Sequence, residues 1–161
     1  MSKDKTYIGI DIGKKGGIVI LKPSPLIWPM PLIGTDLDYR TLQSLMVYNT
    51  TRIGGEFLVI FEKLQSIFGT SKATAFSMGH QAGAVEMMCI AMGLPFVKVP
   101  PKTWQKEMLL GTNPKSDTKA RAAIAASNLF PGVNLKIGKS TKPHDGIVDA
   151  LLMAEYGRRK L

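Results

Sequence analysis

The chain has 161 residues, of which 45% are hydrophobic and 20% are charged. Its 21 Lys and Arg residues outnumber its 12 Asp and Glu residues, so the formal net charge is +9. A chain of this length is expected to form a single domain over 1–161, with a core that needs neither disulfides nor a structural metal. The positive charge predicts a polyanionic partner, either nucleic acid or an anionic membrane surface.

Membrane insertion and secretion are disfavoured by the sequence. The longest apolar stretch, Met87–Val97, contains Gly93 and Pro95 and is much shorter than the roughly 20 residues that a membrane span requires. The first apolar run is interrupted by Asp11, which is not typical of a signal peptide. A single cysteine, Cys89, excludes an internal disulfide, so we expect a soluble protein of a reducing compartment.

Strands dominate the predicted elements of the first part of the chain. Tyr7–Asp11 and Gly16–Leu21 are predicted strands, and the short glycine-containing link between them is typical of a hairpin. The proline-interrupted segment Leu26–Leu32 is expected to be an edge strand or a loop. Helical spacing over Asp38–Tyr48 predicts a helix, and the apolar run Phe57–Phe61 is typical of a buried central strand.

Helices dominate the remainder of the chain. Small and sulfur-containing residues over Ser71–Met92 predict a long helix, and Phe96–Val99 predicts another strand. The last elements are expected to be three helices with a basic loop before the third: Pro101–Leu109, Lys115–Phe130, the loop Val133–Lys142, and His144–Arg159. This order predicts an α/β fold with a mixed sheet and helices on both faces.

Two carboxylates lie at the ends of predicted apolar strands. Asp11 ends the first strand, and Glu62 follows the central one. A carboxylate in such a position is costly unless it is paired or binds a metal. The alternative for either residue alone is a solvated strand-end acid or a salt bridge.

A second pair of carboxylates belongs to the last predicted helix. Asp145 and Asp149 are four residues apart, so they share one face of that helix. Pro143 at the first helical position and an acid in the first turn, which favours the helix dipole, would explain Asp145 without a functional role. That explanation does not extend to Asp149, which precedes an apolar run.

Four converging carboxylates would repel one another, and at least one would be driven to bind a proton. Hard divalent cations with oxygen ligands, Mg²⁺ or Mn²⁺, relieve that conflict. Two such ions would hold the attacking water and the leaving oxygen of a phosphodiester. His144, beside this set, is a candidate to position or deprotonate water; the alternative is a helix-start histidine that makes one backbone hydrogen bond.

Several motifs together resemble the RuvC-type Holliday junction resolvases of the ribonuclease H-like superfamily, most closely their compact bacterial, phage and plastid branch. The resemblance extends from Tyr7 to Arg159. The motifs that match are Ile8–Gly17, Ile60–Lys63, Gly69–Ser71, Phe76–Gly79, Pro101–Lys106, and His144–Gly146 with Asp149–Leu152.

The resemblance implies a ribonuclease H-like mixed five-stranded sheet and a metal-dependent endonuclease that cuts four-way DNA junctions symmetrically. It assigns the ligands of two metal ions to Asp11, Glu62, Asp145 and Asp149. Many relatives of this branch have Glu where this chain has Asp149, so the shorter side chain is expected to change the ligand geometry. The resemblance also implies a cytoplasmic protein of a bacterium or phage-infected host, or an organelle protein.

A homodimer is implied as well, because two opposed strands of a junction require two active sites. Gly79 and Gly83 lie in the long predicted helix, where they would allow another backbone to approach closely. A self-complementary interface at this helix is therefore expected.

Basic residues flank the proposed site. The candidate DNA contacts are Lys14, Lys15, Lys102, Lys106, Lys139 and Lys142, of which the last two are the strongest for the scissile phosphate. Phe68, in the loop after Glu62, is a candidate wedge between bases at the branch point. The alternatives are solvated lysines and a core phenylalanine, and Trp104 is interpreted as a packing residue.

Other functions compatible with these patterns are a ribonuclease H-like nuclease that acts on flaps, forks or structured RNA, and a non-catalytic junction-binding protein. The first would cut without dimerising. The presence of all four acids argues against the second.

Overall fold

The computed structural model describes residues 5–65 and 69–161. Within these residues the strands are β1 (Thr6–Asp11), β2 (Gly17–Leu21), β3 (Leu26–Pro29), β4 (Leu32–Ile33), β5 (Asp36–Leu37), β6 (Phe57–Glu62) and β7 (Phe96–Val99). The helices are α1 (Tyr39–Ile53), α2 (Lys72–Ala91), α3 (Pro101–Met108), α4 (Thr118–Leu129) and α5 (Asp145–Lys160). No helix of the described part is both long and apolar enough to cross a membrane.

Five strands form a mixed sheet in the order β3-β2-β1-β6-β7, which confirms the predicted sheet. β1 and β2 pair antiparallel, as do β2 and β3, whereas β1, β6 and β7 run parallel. Pro29 lies in the edge strand β3, where a residue without an N–H is tolerated. The small β4–β5 ribbon was not predicted, because two-residue strands are too short to show a periodic pattern.

Helices cover both faces of the sheet, as predicted, because side chains alternate along each strand. Ile8 and Ile10 of β1 belong to a core that includes Leu42 of α1 and Val85 of α2. The other face, with Ile60 of β6, forms a second core, to which α3, α4 and α5 contribute residues such as Trp104, Ala126 and Leu151.

Helix α5 lies unusually close to the sheet because glycines face it. A Cβ atom added at Gly9 would lie 1.8 Å from the carbonyl oxygen of Ala150. At the start of α5, Gly146 forms an isolated parallel bridge with Gly16, next to the β1–β2 turn. The N-terminus of α5 is therefore held beside the end of β1.

Two helix boundaries differ from the predicted ones. The α1 helix continues past Tyr48 to Ile53, and Asn49 and Thr50 donate hydrogen bonds to carbonyls one turn earlier. The α4 helix begins at Thr118 because Asp117 accepts from the first backbone N–H groups.

Pro143 is not the first residue of α5, contrary to our expectation. His144 is the N-cap of this helix, so Pro143 lies outside it. Asp145 is the first helical residue, so it is the acid expected in the first turn of α5.

Candidate active site

Asp11 and Glu62 end neighbouring parallel strands on the same side of the sheet. Ile10 of β1 pairs with Phe61 of β6, and each carboxylate follows directly. Because side chains alternate, both carboxylates lie on the face that holds Ile60, which is the face covered by α5.

The two acids of α5 complete the set. Asp145 and Asp149 lie in the first two turns of this helix, whose N-terminus is held beside β1 and β2. The negative charges of Asp149, Glu62 and Asp145 all act on Asp11. The structure thus brings the four predicted acids to one end of the sheet.

Two of these carboxylates are costly to ionise. Burial raises the pKa of Asp11 to about 8, and the charges of Asp149, Glu62 and Asp145 contribute to the shift. Burial likewise raises the pKa of Asp149 to about 7, with smaller contributions from Glu62 and Asp145. In the absence of another cation, these two groups therefore bind protons near neutral pH.

The other two acids have partners within the protein. The indole N–H of Trp104 donates to Oε1 of Glu62 at 2.9 Å, and the ammonium of Lys119 donates to Oδ2 of Asp145 at 2.8 Å. Burial raises the pKa of Glu62, and the hydrogen bond from Trp104 opposes that rise. Trp104 is buried as expected for a packing residue, but it also fixes one oxygen of Glu62.

Neither Trp104 nor Lys119 was predicted as a site residue. Trp104 belongs to the Pro101–Lys106 motif, and this motif could have indicated Trp104 as a site residue. Lys119 lies on α4, and its sequence neighbourhood does not indicate which carboxylate it contacts.

The donor set suits a hard divalent cation, because all four side chains offer carboxylate oxygens. In residues 5–65 and 69–161, however, no group of three or more His, Cys, Asp or Glu side chains is arranged to hold a metal ion. Oxygens of Glu62 and Asp145 instead accept hydrogen bonds from Trp104 and Lys119. A cavity of about 80 Å³ adjoins Asp11 and Glu62, and Met78 and Gln81 of α2 line its other side.

His144 has the structural role that was the alternative to catalysis. Its Nδ1 atom accepts a hydrogen bond from the backbone N–H of Ile147 at 3.3 Å, as the N-cap of α5. This contact anchors the first turn of the helix that carries Asp145 and Asp149. A catalytic contribution of His144 stays a prediction.

The predicted DNA-contacting lysines are all exposed, but they do not form one group. Lys14 and Lys15 lie in the β1–β2 turn near Gly146, where Lys14 forms an ion pair with Asp36 at 3.9 Å. Lys139 and Lys142 lie in the loop before α5. Lys14 and Lys15 thus lie beside the start of the helix that carries two of the acids, whereas Lys139 and Lys142 precede that helix in sequence.

The remaining candidates lie elsewhere or outside the described residues. Lys102 and Lys106 belong to α3, and Lys106 lines a hollow with Tyr156 and Lys160 near the C-terminal end of α5. Lys106 is therefore distant from the acids along that helix. Phe68 falls outside the described residues.

Comparison with known proteins supports the fold. No protein-family model and no curated protein matches the sequence. Among solved structures, the chain is similar to Thermus thermophilus RuvC in complex with a Holliday junction substrate. The TM-score is 0.61 at 16% identity, over 96% of this chain and 95% of that one.

Two further structures show the same relationship. Thermus thermophilus RuvC alone gives a TM-score of 0.59 at 18% identity, over 96% of both chains. The yeast mitochondrial Holliday junction resolvase Ydc2 gives 0.58 at 15% identity, over 95% of this chain and 77% of that one. At these identities the likeness establishes architecture, and the chain has the ribonuclease H-like fold of the RuvC resolvases.

Proposed function

We propose that the protein is a metal-dependent, structure-selective endonuclease that resolves four-way DNA junctions by paired, symmetric phosphodiester cleavage. The observation that carries this proposal is the group of four carboxylates, three of them with raised pKa values, at one end of a ribonuclease H-like sheet. One structure with this fold contains a Holliday junction substrate.

In this proposal Asp11, Glu62, Asp145 and Asp149 hold two Mg²⁺ or Mn²⁺ ions. Bound ions of this kind supply an activated water and neutralise charge on the leaving oxygen. The raised pKa values of Asp11 and Asp149 support this assignment, because a carboxylate without an internal partner is available to an external cation.

Other side chains position these ligands. Trp104 fixes one oxygen of Glu62 and leaves the second oxygen free to act as a ligand. His144 caps α5 and so orients Asp145 and Asp149. Lys119 places a positive charge beside Asp145, which reduces repulsion of an approaching phosphate.

DNA is proposed to cross the start of α5. Lys14 and Lys15, beside this start, and Lys139 and Lys142, in the loop before α5, are exposed and would contact phosphates near the acids. Lys102 and Lys106 would contact DNA farther from the cut. A wedge role for Phe68 is retained from the sequence as part of this proposal.

The proposed enzyme is a homodimer that associates through α2. Within this 20-residue helix the fully buried residues are Val85 and Cys89, whereas Phe76, Met87 and Ile90 are exposed. Added Cβ atoms at Gly79 and Gly83 would meet nothing within 4 Å, so a second backbone has room to approach. An interface here would provide the two active sites that paired cuts require.

The proposed location is the cytoplasm or an organelle matrix, where DNA is present. Ydc2, which shares the fold, is described as a mitochondrial resolvase.

A direct test compares a synthetic four-way junction with a flap and a linear duplex of the same sequence, each incubated with Mg²⁺, Mn²⁺ or EDTA. Paired, symmetric nicks in the junction, dependent on metal, are expected. Equal cutting of the linear duplex would contradict junction selectivity. Cutting of the flap by a monomer would favour the alternative nuclease, and junction binding without cutting in either metal would favour a non-catalytic role.

A further inference from the structure

A second cationic region lies at the far end of α5 from the carboxylates. A cavity of about 740 Å³ opens there between the start of β1, the end of β2 and the last turns of α4 and α5. At a rise of about 1.5 Å per helical residue, Arg158 lies roughly 20 Å along α5 from Asp145. The cavity is therefore separate from the proposed cleavage site.

A buried carboxylate organises one wall of this cavity. Glu155 is only 2% exposed and accepts hydrogen bonds from Nε and Nη2 of Arg158 and from Nε of Arg159, at 2.7, 2.6 and 2.7 Å. These contacts fix both guanidinium groups. The Nη1 groups of both arginines take no part in them and stay available as donors.

The cavity combines excess positive charge with an apolar surface. Four cations line it, against the single carboxylate of Glu155: Lys5, Lys22, Arg158 and Arg159. Leu21, Leu129 and the ring of Phe130 form apolar parts of its lining. Guanidinium groups are suited to phosphate oxygens, and a flat apolar group packs well against an aromatic ring.

We propose that this cavity binds a nucleoside phosphate, with the phosphate at Arg158 and Arg159 within reach of Lys5 and Lys22, and the base against Phe130 and Leu129. The proposal goes beyond junction cleavage, since it concerns a separate site and does not depend on hydrolysis. The nucleoside phosphate belongs either to a DNA strand that extends away from the carboxylates or to a free nucleotide. Both sources present the same chemical groups.

The first experiment detects the ligand chemistry directly. The ¹⁵N-labelled full chain, in EDTA, is titrated with thymidine 5′-monophosphate and separately with thymidine. The backbone amides of Leu21, Lys22 and Phe130 are expected to shift with the monophosphate and to move little with thymidine. If the monophosphate leaves these amides unmoved, the proposal is wrong.

The variant for this experiment carries Lys5→Gln and Lys22→Gln together. These lysines are chosen because the hydrogen bonds that hold Glu155 come from Arg158 and Arg159, so the buried carboxylate keeps its partners. The variant is expected to bind the monophosphate several-fold more weakly. Unchanged affinity would show that the lysines do not contribute and would contradict the assigned cavity.

The second experiment identifies the source of the ligand. Binding of a four-way junction in EDTA is measured against salt concentration for the wild type, the double lysine variant and the control Arg52→Gln, which lies on α1. If DNA occupies the cavity, the salt slope of the double variant falls by about 0.9 for each lost duplex phosphate contact, or by about 0.7 for single-stranded DNA. An unchanged slope, together with monophosphate binding, assigns the cavity to a free nucleotide. Because EDTA prevents metal-dependent cleavage, both results are independent of the proposed nuclease activity.

Discussion

Buried carboxylates near the two ends of α5 have pKa values that are shifted in opposite directions. Near the C-terminus, burial alone would raise the pKa of Glu155, but the hydrogen bonds and charges of Arg158 and Arg159 together lower it. Near the N-terminus, burial raises the pKa of Asp149 to about 7, and the neighbouring acids add to the shift. One helix thus carries Glu155, whose charge is balanced by two arginines, and Asp149, whose charge is not balanced in this way. The N-terminal end of α5, which we call the uncompensated end, is the one that suits an external cation; the end with Glu155 is the compensated end.

The largest expected effect is loss of cleavage at the uncompensated end. Asp149→Asn or Asp145→Ala, each of which removes a proposed metal ligand, should reduce junction cleavage by about 10³-fold, since a catalytic metal contributes several kcal/mol to the transition state. Junction binding in EDTA should be retained. The control is Glu56→Gln, at an exposed acid before β6. Normal cleavage by Asp145→Ala would show that the proposed site is wrong.

At the compensated end, substitution of the carboxylate should lower the stability of the protein and not act mainly on cleavage. Glu155→Ala removes three charge-assisted hydrogen bonds but leaves two arginines that are partly exposed to water, so we expect the free energy of unfolding to fall by about 2 kcal/mol. Asp149→Asn should leave the stability in EDTA unchanged or raise it, because it removes a repelled charge. Urea denaturation of both variants in EDTA measures the difference. If both variants are destabilised equally, the two carboxylates do not differ in the way described.

Loss of the hydrogen bond to Glu62 should produce an intermediate effect. Trp104→Phe removes the N–H that fixes one carboxylate oxygen, and such supporting contacts are worth about 10–100-fold in metal affinity. The Mn²⁺ concentration for half-maximal cleavage should rise by that factor, and the Mn²⁺-induced rise in melting temperature should decrease. Trp28→Phe is the matched control. A fall in stability with unchanged metal dependence would mean that Trp104 only packs.

The last expected effect is a pH dependence of stability that has opposite sign at the two ends of α5. Asp11 and Asp149 have pKa values of about 8 and 7 in the folded chain, above their ordinary value of 3.8. The folded state therefore binds more protons than the unfolded state, so in EDTA the melting temperature should fall as pH rises from about 5 to about 9. Glu155, with its lowered pKa, loses its contribution only at acidic pH.

Scanning calorimetry at several pH values tests this expectation. Saturating Mg²⁺ should flatten the alkaline decline, because the cation replaces the protons, and Asp11→Asn should flatten it without metal. A melting temperature that rises between about pH 5 and 9 in EDTA would contradict the raised pKa values.

Periodic patterns in the sequence were sufficient to predict the sheet and the elements on which the four acids lie. The apolar runs that end at Asp11 and Glu62 and the helical spacing of Asp145 and Asp149 place each carboxylate on its element. The partners of these acids were not predictable in this way. Trp104 lies 42 residues from Glu62 in sequence, and such a contact depends on how α3 packs against the sheet.

Local competition between similar residues accounts for other differences. His144 and Pro143 both suit the start of a helix, and only the hydrogen bond to the N–H of Ile147 identifies His144 as the cap. The arginines that pair with Glu155 follow it by one helical turn, but their spacing alone does not reveal that Glu155 is buried.

The contact between Gly9 and α5 makes the distance between sheet and helix a critical dimension of the molecule. The added methyl group of an alanine at Gly9 would overlap the Ala150 carbonyl oxygen, so the helix would have to move outward. Asp145 and Asp149 would then withdraw from Asp11 and Glu62, although none of the four had been altered. Gly9 thus sets the distance between the sheet and α5, and this distance determines how closely the two acids of the strands and the two acids of the helix can approach each other.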